Sequence, residues 1–183
     1  MTILDIGGTS AVWEILDFAD QPDIQITLLN ISEGEFKTPH SNITPLLGDA
    51  RDLSQFNDRQ FDIVYSNSVI EHVGTIDDMR RMANEMRRVG KRYFMQTPNR
   101  YFPIEPHFIF PMFQFLPFPM QVYLVRHYNL GWFRKTPDRA KAEQEVRGIH
   151  LISKEDVRML FPDASIREEK FAGLTKSLLA YTV

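Results

Sequence analysis

Phe61-Asp62-Ile63-Val64-Tyr65-Ser66-Asn67-Ser68-Val69-Ile70-Glu71-His72-Val73 is the stretch on which the fold turns. Phe61 to Tyr65 reads as a strand buried on both faces, the polar Ser-Asn-Ser leads out of the sheet, and Glu71-His72-Val73 begins the next helix. Upstream, Thr2 to Asp5 is an apolar run stopped by Gly7-Gly8, which predicts a buried strand entering a tight turn. Thr9 or Ser10 can cap a following helix whose apolar positions are Val12, Ile15, Leu16 and Ala19. After an exit at Asp20 to Asp23, Ile24 to Asn30 predicts a second strand, and Leu46-Leu47 before Gly48-Asp49 a short third.

Downstream, the clearest helix starts at Thr75, with Asp77 and Asp78 in its first turn and Arg87 and Arg88 in its last. Its predicted apolar face is Ile76, Met79, Met82, Ala83, Met86 and Val89, and Gly90 is expected to stop it in a left-handed conformation. Tyr93 to Gln96 follows as a fifth strand. Ser153 and Asp156 form a capping-box pattern ahead of Val157, Leu160 and Phe161, Pro162 ends that helix, and two β-like runs close the chain, Ile166 to Phe171 and Leu178 to Val183. Strands alternating with helices imply an α/β protein with an open, doubly wound sheet.

With 183 residues, the chain reads as a single domain, 1–183. Hydrophobic residues at 43% and charged residues at 25% describe a globular protein and exclude a disordered one. A formal net charge of −3 supplies no general attraction for nucleic acid, so that partner is disfavoured. The absence of cysteine excludes disulfides, thiolate zinc sites and cysteine nucleophiles, and no metal site is expected. The first residues lack the basic flank and apolar core of a secretory signal, so a cytoplasmic location is expected. Phe108 to Val125 has the length of a membrane span but is broken by Pro111, Pro117 and Pro119.

In doubly wound sheets ligands bind beyond the carboxyl ends of the strands, near the point where strand order reverses. The first such turn is Asp5-Ile6-Gly7-Gly8-Thr9-Ser10, where glycines admit a ligand to the backbone and a helix start offers free N–H groups to an anion. Taken in order, Ile3-Leu4-Asp5-Ile6-Gly7-Gly8-Thr9, Leu47-Gly48-Asp49-Ala50-Arg51-Asp52-Leu53 and the opening stretch resemble the successive motifs of class I S-adenosylmethionine-dependent methyltransferases of the broad small-molecule type. The resemblance implies a Rossmann-like, mostly parallel seven-stranded sheet with helices on both faces and an antiparallel C-terminal strand. It also implies S-adenosylmethionine as cofactor. The glycine loop is one residue shorter than the family's usual form, and the N-terminal helix that usually precedes the first strand is expected to be missing.

The same resemblance assigns roles to matching positions. Asp5, Gly7, Gly8 and Thr9 would line the methionine end of the cofactor, and Asn30 stands where the family usually places an acid for the ribose hydroxyls. Asp49 would meet the adenine amino group and Ala50 the ring edge, while Asn67 and Ser68 would lie beneath the transferred methyl group. Candidate general bases are His72 and His107, with Glu71 and Glu105 beside them. For Glu71 and His72, satisfying backbone groups at a helix start is the reading ranked first; for His107, packing and function stand level.

The segment Asn99 to Phe133 is rich in aromatics and prolines and too long for a simple connection, so it is expected to be an insertion or lid of short helices walling the substrate side. Its rings equally suit completion of the core. The expected activity is methyl transfer to a small-molecule or lipid- or saccharide-linked acceptor, with peripheral membrane contact through 108–125 left open and oligomeric state unread. A non-catalytic binding or interaction module of the same fold is the alternative. A nicotinamide-dependent enzyme ranks last, because Gly7-Gly8-Thr9-Ser10 is not a Gly-x-Gly-x-x-Gly turn.

Overall fold

The computed structural model describes residues 1–32 and 40–183. Its sheet grows outward from β1 (Thr2–Ile6), which pairs in parallel with β2 (Gln25–Asn30) on one side and β4 (Phe61–Asn67) on the other. Next to β2 runs β3 (Ile43–Leu47), and next to β4 runs β5 (Gly90–Pro98), both parallel. A C-terminal hairpin of β8 (Ser165–Phe171) and β9 (Leu174–Tyr181) completes the sheet, with β9 antiparallel to β5. The order β3-β2-β1-β4-β5-β9-β8 is the expected seven-stranded, mostly parallel arrangement.

Successive side chains of a strand point to opposite faces, so each central strand feeds two cores. Leu4, Ile6, Val64 and Met95 pack with Met79, Met82 and Met86 of α2 (Ile76–Val89) and with Val157 and Leu160 of α5 (Lys154–Leu160). Ile3, Ile26, Leu28 and Ile43 pack on the other face with Trp13 of α1 (Ser10–Ile15). Both predicted capping boxes form: Thr75 with Asp78 ahead of α2, and Ser153 with Asp156 ahead of α5. The predicted face of α2 is buried at Met79, Met82, Ala83, Met86 and Val89.

Four local expectations need correction. Gly90 is extended, not left-handed, because it already pairs with Phe61 as the first residue of β5, and a Cβ there would meet the Val64 side chain and backbone oxygens. In α1 the buried residue is Trp13, while Ile15 and Leu16 lie exposed, since the helix is under two turns long and buries one large ring instead of a stripe. Thr9 occupies the N-cap position without a side-chain capping bond. Glu71 and His72 lie in a short 3-10 turn, Ile70–His72, ahead of α2 and not within a helix continuous with it.

Residues after β5 build a satellite layer. β6 (Ile104–Glu105) and β7 (Phe110–Pro111) form a two-stranded ribbon, followed by α3 (Phe118–His127) and α4 (Arg139–Arg147). Phe108, Phe113, Val122, Val125, Ala142 and Val146 bury one another in a separate core, with the Phe108 ring centre 4.1 Å from Phe113 and 4.7 Å from Phe133. Its partner helix α4 lies beyond the predicted segment 99–133. Among the described residues no helix is long and apolar enough to cross a membrane.

Candidate functional site

The parallel strands end together: Ile6 stands beside Leu29 and Ser66, Asn30 beside Leu47, and Asn67 beside Gln96. Beyond these ends a cleft of about 240 Å³ is lined by Gly7, Asn30, Ile31, Asp49, Ala50, Arg51, Val69, His72 and Val73, among others. Four of the nine predicted cofactor residues, Gly7, Asn30, Asp49 and Ala50, are therefore brought to one surface. Gly7 takes φ +72, and a Cβ there would strike Val69. A Cβ at Gly8 would overlap the Asp5 carboxylate, so only glycine lets the loop lie over that acid.

Asp5 is 1% exposed. Its Oδ2 accepts from the Trp13 indole at 2.7 Å, while Oδ1 is buried without a hydrogen-bond partner. Burial pushes the carboxyl up to about 7, with the indole bond pulling the other way. Asn30 donates from Nδ2 to the Gly8 carbonyl at 2.9 Å, which ties the end of β2 to the glycine loop. Asp49 accepts a two-point contact from Arg51, with Nε–Oδ1 at 2.9 Å and Nη2–Oδ2 at 2.5 Å, and this bond holds its carboxyl below the usual range. Arg51 also reaches the Val73 carbonyl at 3.3 Å, so it links the loops after β3 and β4.

Ser68 marks the far side of the cleft. It has the left-handed φ of 56, its N–H donates to the Gln96 carbonyl, and its hydroxyl donates to Gln96 Oε1 at 2.9 Å. A second cleft, about 450 Å³, opens on that side between Ser68, Gln96, Phe102, Ile104, Phe171 and Lys176. Ser68 thus lines one cleft and its neighbour Val69 the other. Asn67 is exposed at the end of β4, and Thr9 is exposed at the start of α1; neither lines the first cleft.

The two candidate bases come together from distant parts of the chain. The His72 and His107 rings meet edge to face, 4.8 Å apart. His107 Nδ1 donates to Glu105 Oε1 at 2.7 Å, and Glu105 Oε2 accepts from the Phe108 N–H at 2.6 Å. His72 Nδ1 donates to the Gly148 carbonyl at 3.2 Å. Glu71 is fully buried, accepting from the Thr97 hydroxyl at 2.9 Å on Oε2, and burial pushes its carboxyl up to about 7. Partial desolvation of its ring, which keeps one edge open to solvent, lowers the His72 imidazole, with a protonated His107 adding to the effect.

Sequence reading missed Trp13, Arg51 and Val69. Trp13 next to a glycine turn carried the only available signal, a large donor within reach of Asp5; nothing in the spacing marked Arg51 or Val69.

The geometry agrees with what the chain resembles. Residues 4–93 match the model of the methyltransferase domain family. No curated protein sequence matches the chain. Among solved structures, a SAM-dependent methyltransferase of Methanosarcina mazei superposes with a TM-score of 0.62 at 15% identity, covering 98% of this chain and 90% of that one. The PH0226 protein of Pyrococcus horikoshii gives 0.60 at 21% identity, covering 98% and 80%, and a SAM-dependent methyltransferase of Aquifex aeolicus gives 0.57 at 13%, covering 99% and 80%. With the family motifs lining one cleft at the strand ends, residues 4–93 carry the methyltransferase domain of class I S-adenosylmethionine-dependent enzymes, and S-adenosylmethionine is the cofactor.

Proposed function

We propose that this enzyme methylates an oxygen or nitrogen of a small-molecule or lipid- or saccharide-linked acceptor held in the cleft between Ser68, Phe102 and Ile104. The observation that carries the reading is the Ser68-Val69 step, where adjacent residues line the cofactor cleft and the second cleft. When bound, S-adenosylmethionine supplies an electrophilic methyl group on a positively charged sulfur. Asp5 Oδ1, buried and unpartnered, suits the cofactor's ammonium group, and the Gly7, Gly8 and Thr9 backbone suits its carboxylate. Asn30 would meet the ribose hydroxyls, Asp49 the adenine amino group, and Ala50 and Ile31 the ring. Ser68, with Asn67 next to it at the end of β4, would lie beneath the methyl group.

Positioning two reactants in line supplies much of the rate in such a transfer. His72 and His107 accept the acceptor's proton where one must leave. Exposed Ile109, Met112, Phe115, Met120 and Tyr123 support peripheral contact with a lipid surface through 108–125, while the net charge disfavours nucleic acid. A cytoplasmic location accords with this reading. The test is S-adenosylhomocysteine formation with a panel of hydroxyl, amine and lipid-linked acceptors, comparing wild type with Ile104→Asp. A rise in acceptor KM with unchanged cofactor affinity is expected; an unchanged KM for every turned-over acceptor places acceptor binding elsewhere.

A further inference from the structure

Glu71, His72 and His107 each present one ligand-type atom, and the three atoms lie within 4.8 Å of one another. Each residue is held by its other polar atom. The carbonyl of Gly148 can only accept, so His72 Nδ1 carries the proton and Nε2 keeps its lone pair. His107 donates from Nδ1 to the Glu105 carboxylate, so in the neutral ring the lone pair is on Nε2, 3.9 Å from Glu71 Oε1. Glu71 Oε2 accepts from Thr97, whereas Oε1 is buried and has no hydrogen-bond partner. A buried carboxylate oxygen without a donor is unfavourable unless a cation or donor completes it.

We propose that Glu71 Oε1, His72 Nε2 and His107 Nε2 bind a divalent transition-metal ion, with Zn²⁺, Fe²⁺ and Co²⁺ the chemistry that fits two imidazoles and one carboxylate. Three ligands on one side leave open coordination positions, as in catalytic sites of this donor set. Carbonyl and carboxylate partners on the far nitrogens are the outer shell that such histidines use to fix their tautomer. Ligand atoms around a tetrahedral ion stand roughly 3.4 Å apart, given metal–nitrogen bonds near 2.0–2.1 Å, so the cluster closes slightly on binding. His72 also lines the cleft at the strand ends, so a bound ion would lie next to that cleft. Binding of the ion stands independently of the proposed acceptor and takes up the two Nε2 lone pairs, so in the ion-bound form His72 and His107 are ligands and no longer free bases; only the ion's use in catalysis rests on that reading.

The purified chain is stripped with chelator and titrated with Co²⁺, following visible absorption and calorimetry, alongside His72→Ala, His107→Ala and Glu71→Gln. Glu71→Gln keeps an acceptor for Thr97, and His72 is exposed, so at least these two variants are expected to fold, which circular dichroism checks. One equivalent is expected to bind wild type with ligand-field bands, and each variant to lose more than about 100-fold in affinity, above the loss typical of an outer-shell change. Folded wild type that takes up no Co²⁺, or folded variants that bind like wild type, overturns the site. Binding of S-adenosylhomocysteine on the same sample is a separate readout: its failure counts against the cofactor assignment and not against the metal.

Discussion

Asp5 carries a charge that its own surroundings oppose, because burial holds its carboxyl at about 7 while the same group in an unfolded chain titrates near 4. Well below pH 4 both states bind the proton and the site is neutral. As pH rises from about 4 to 7 the unfolded chain ionises first, so folding stability falls, by at most about 4 kcal/mol once pH exceeds 7. Asp5→Asn keeps an acceptor for Trp13 and removes the charge. In urea unfolding that variant is expected to gain least over wild type at the acid end, near pH 4, and most at pH 8. Calorimetry should show the opposite for function, with S-adenosylhomocysteine bound at least about tenfold more weakly because its ammonium group loses a counter-ion worth a charge-assisted hydrogen bond. A variant no more stable at pH 8 and no weaker in binding would remove Asp5 from the cofactor. Asp49 differs, since its side chain is 36% exposed and its partner Arg51 is 35% exposed. Asp49→Ala should therefore lower stability by less than about 1 kcal/mol while still reducing cofactor affinity. Unchanged affinity on calorimetry would place the adenine away from Asp49.

At the level of single elements, α2 joins its cap to its burial: Thr75 accepts from the Asp78 N–H, and the Met79, Met82 and Met86 side chains are fully buried one turn at a time. Thr75→Ala should cost about 1 kcal/mol, and Met82→Ala about 2–5 kcal/mol, in chemical denaturation, with neither altering cofactor affinity in the folded protein. Affinity falling in step with either substitution would mean that α2 positions the cleft directly. This helix was legible because a fourteen-residue amphipathic pattern with a capping box leaves little competition. Shorter elements were not. α1 has six residues, too few to show a period, and its one buried side chain is an aromatic fixed by Asp5 and Tyr65, contacts that no local pattern contains. β3 starts at Ile43, ahead of the predicted Leu46-Leu47, and tolerates Pro45 because an edge strand needs hydrogen bonds on one side only. Likewise, the glycine loop and the order of strand-end motifs pointed to the cleft that Gly7, Asn30, Asp49 and Ala50 line, while the meeting of His72 with His107 required the long return of the chain through the satellite layer.

Across the whole molecule, three cores share the work. The sheet buries one set of side chains on each face, and the satellite layer buries a third around Phe108, which stacks on Phe113 and Phe133. The segment from Asn99 onward therefore is more than padding for the main core, and its extension through α4 is what closes its own. Phe108 also ties this core to the Glu and His cluster, since its N–H donates to Glu105, which orients His107. Removing a large buried ring costs about 3–5 kcal/mol, which a small satellite is less able to absorb than the sheet. Phe108→Ala is expected to raise hydrogen exchange in Phe118–His127 and Arg139–Arg147 while α2 and the central strands keep their protection. S-adenosylhomocysteine should still bind with near wild-type affinity, because its cleft is formed by the loops after β1 to β4. Methyl transfer should fall at least about tenfold, as His107 and the wall at Phe102 and Ile104 lose their support. Loss of cofactor binding together with transfer would show that the satellite and the sheet unfold as one unit, and retained transfer with an opened satellite would mean that the acceptor is held by the sheet alone.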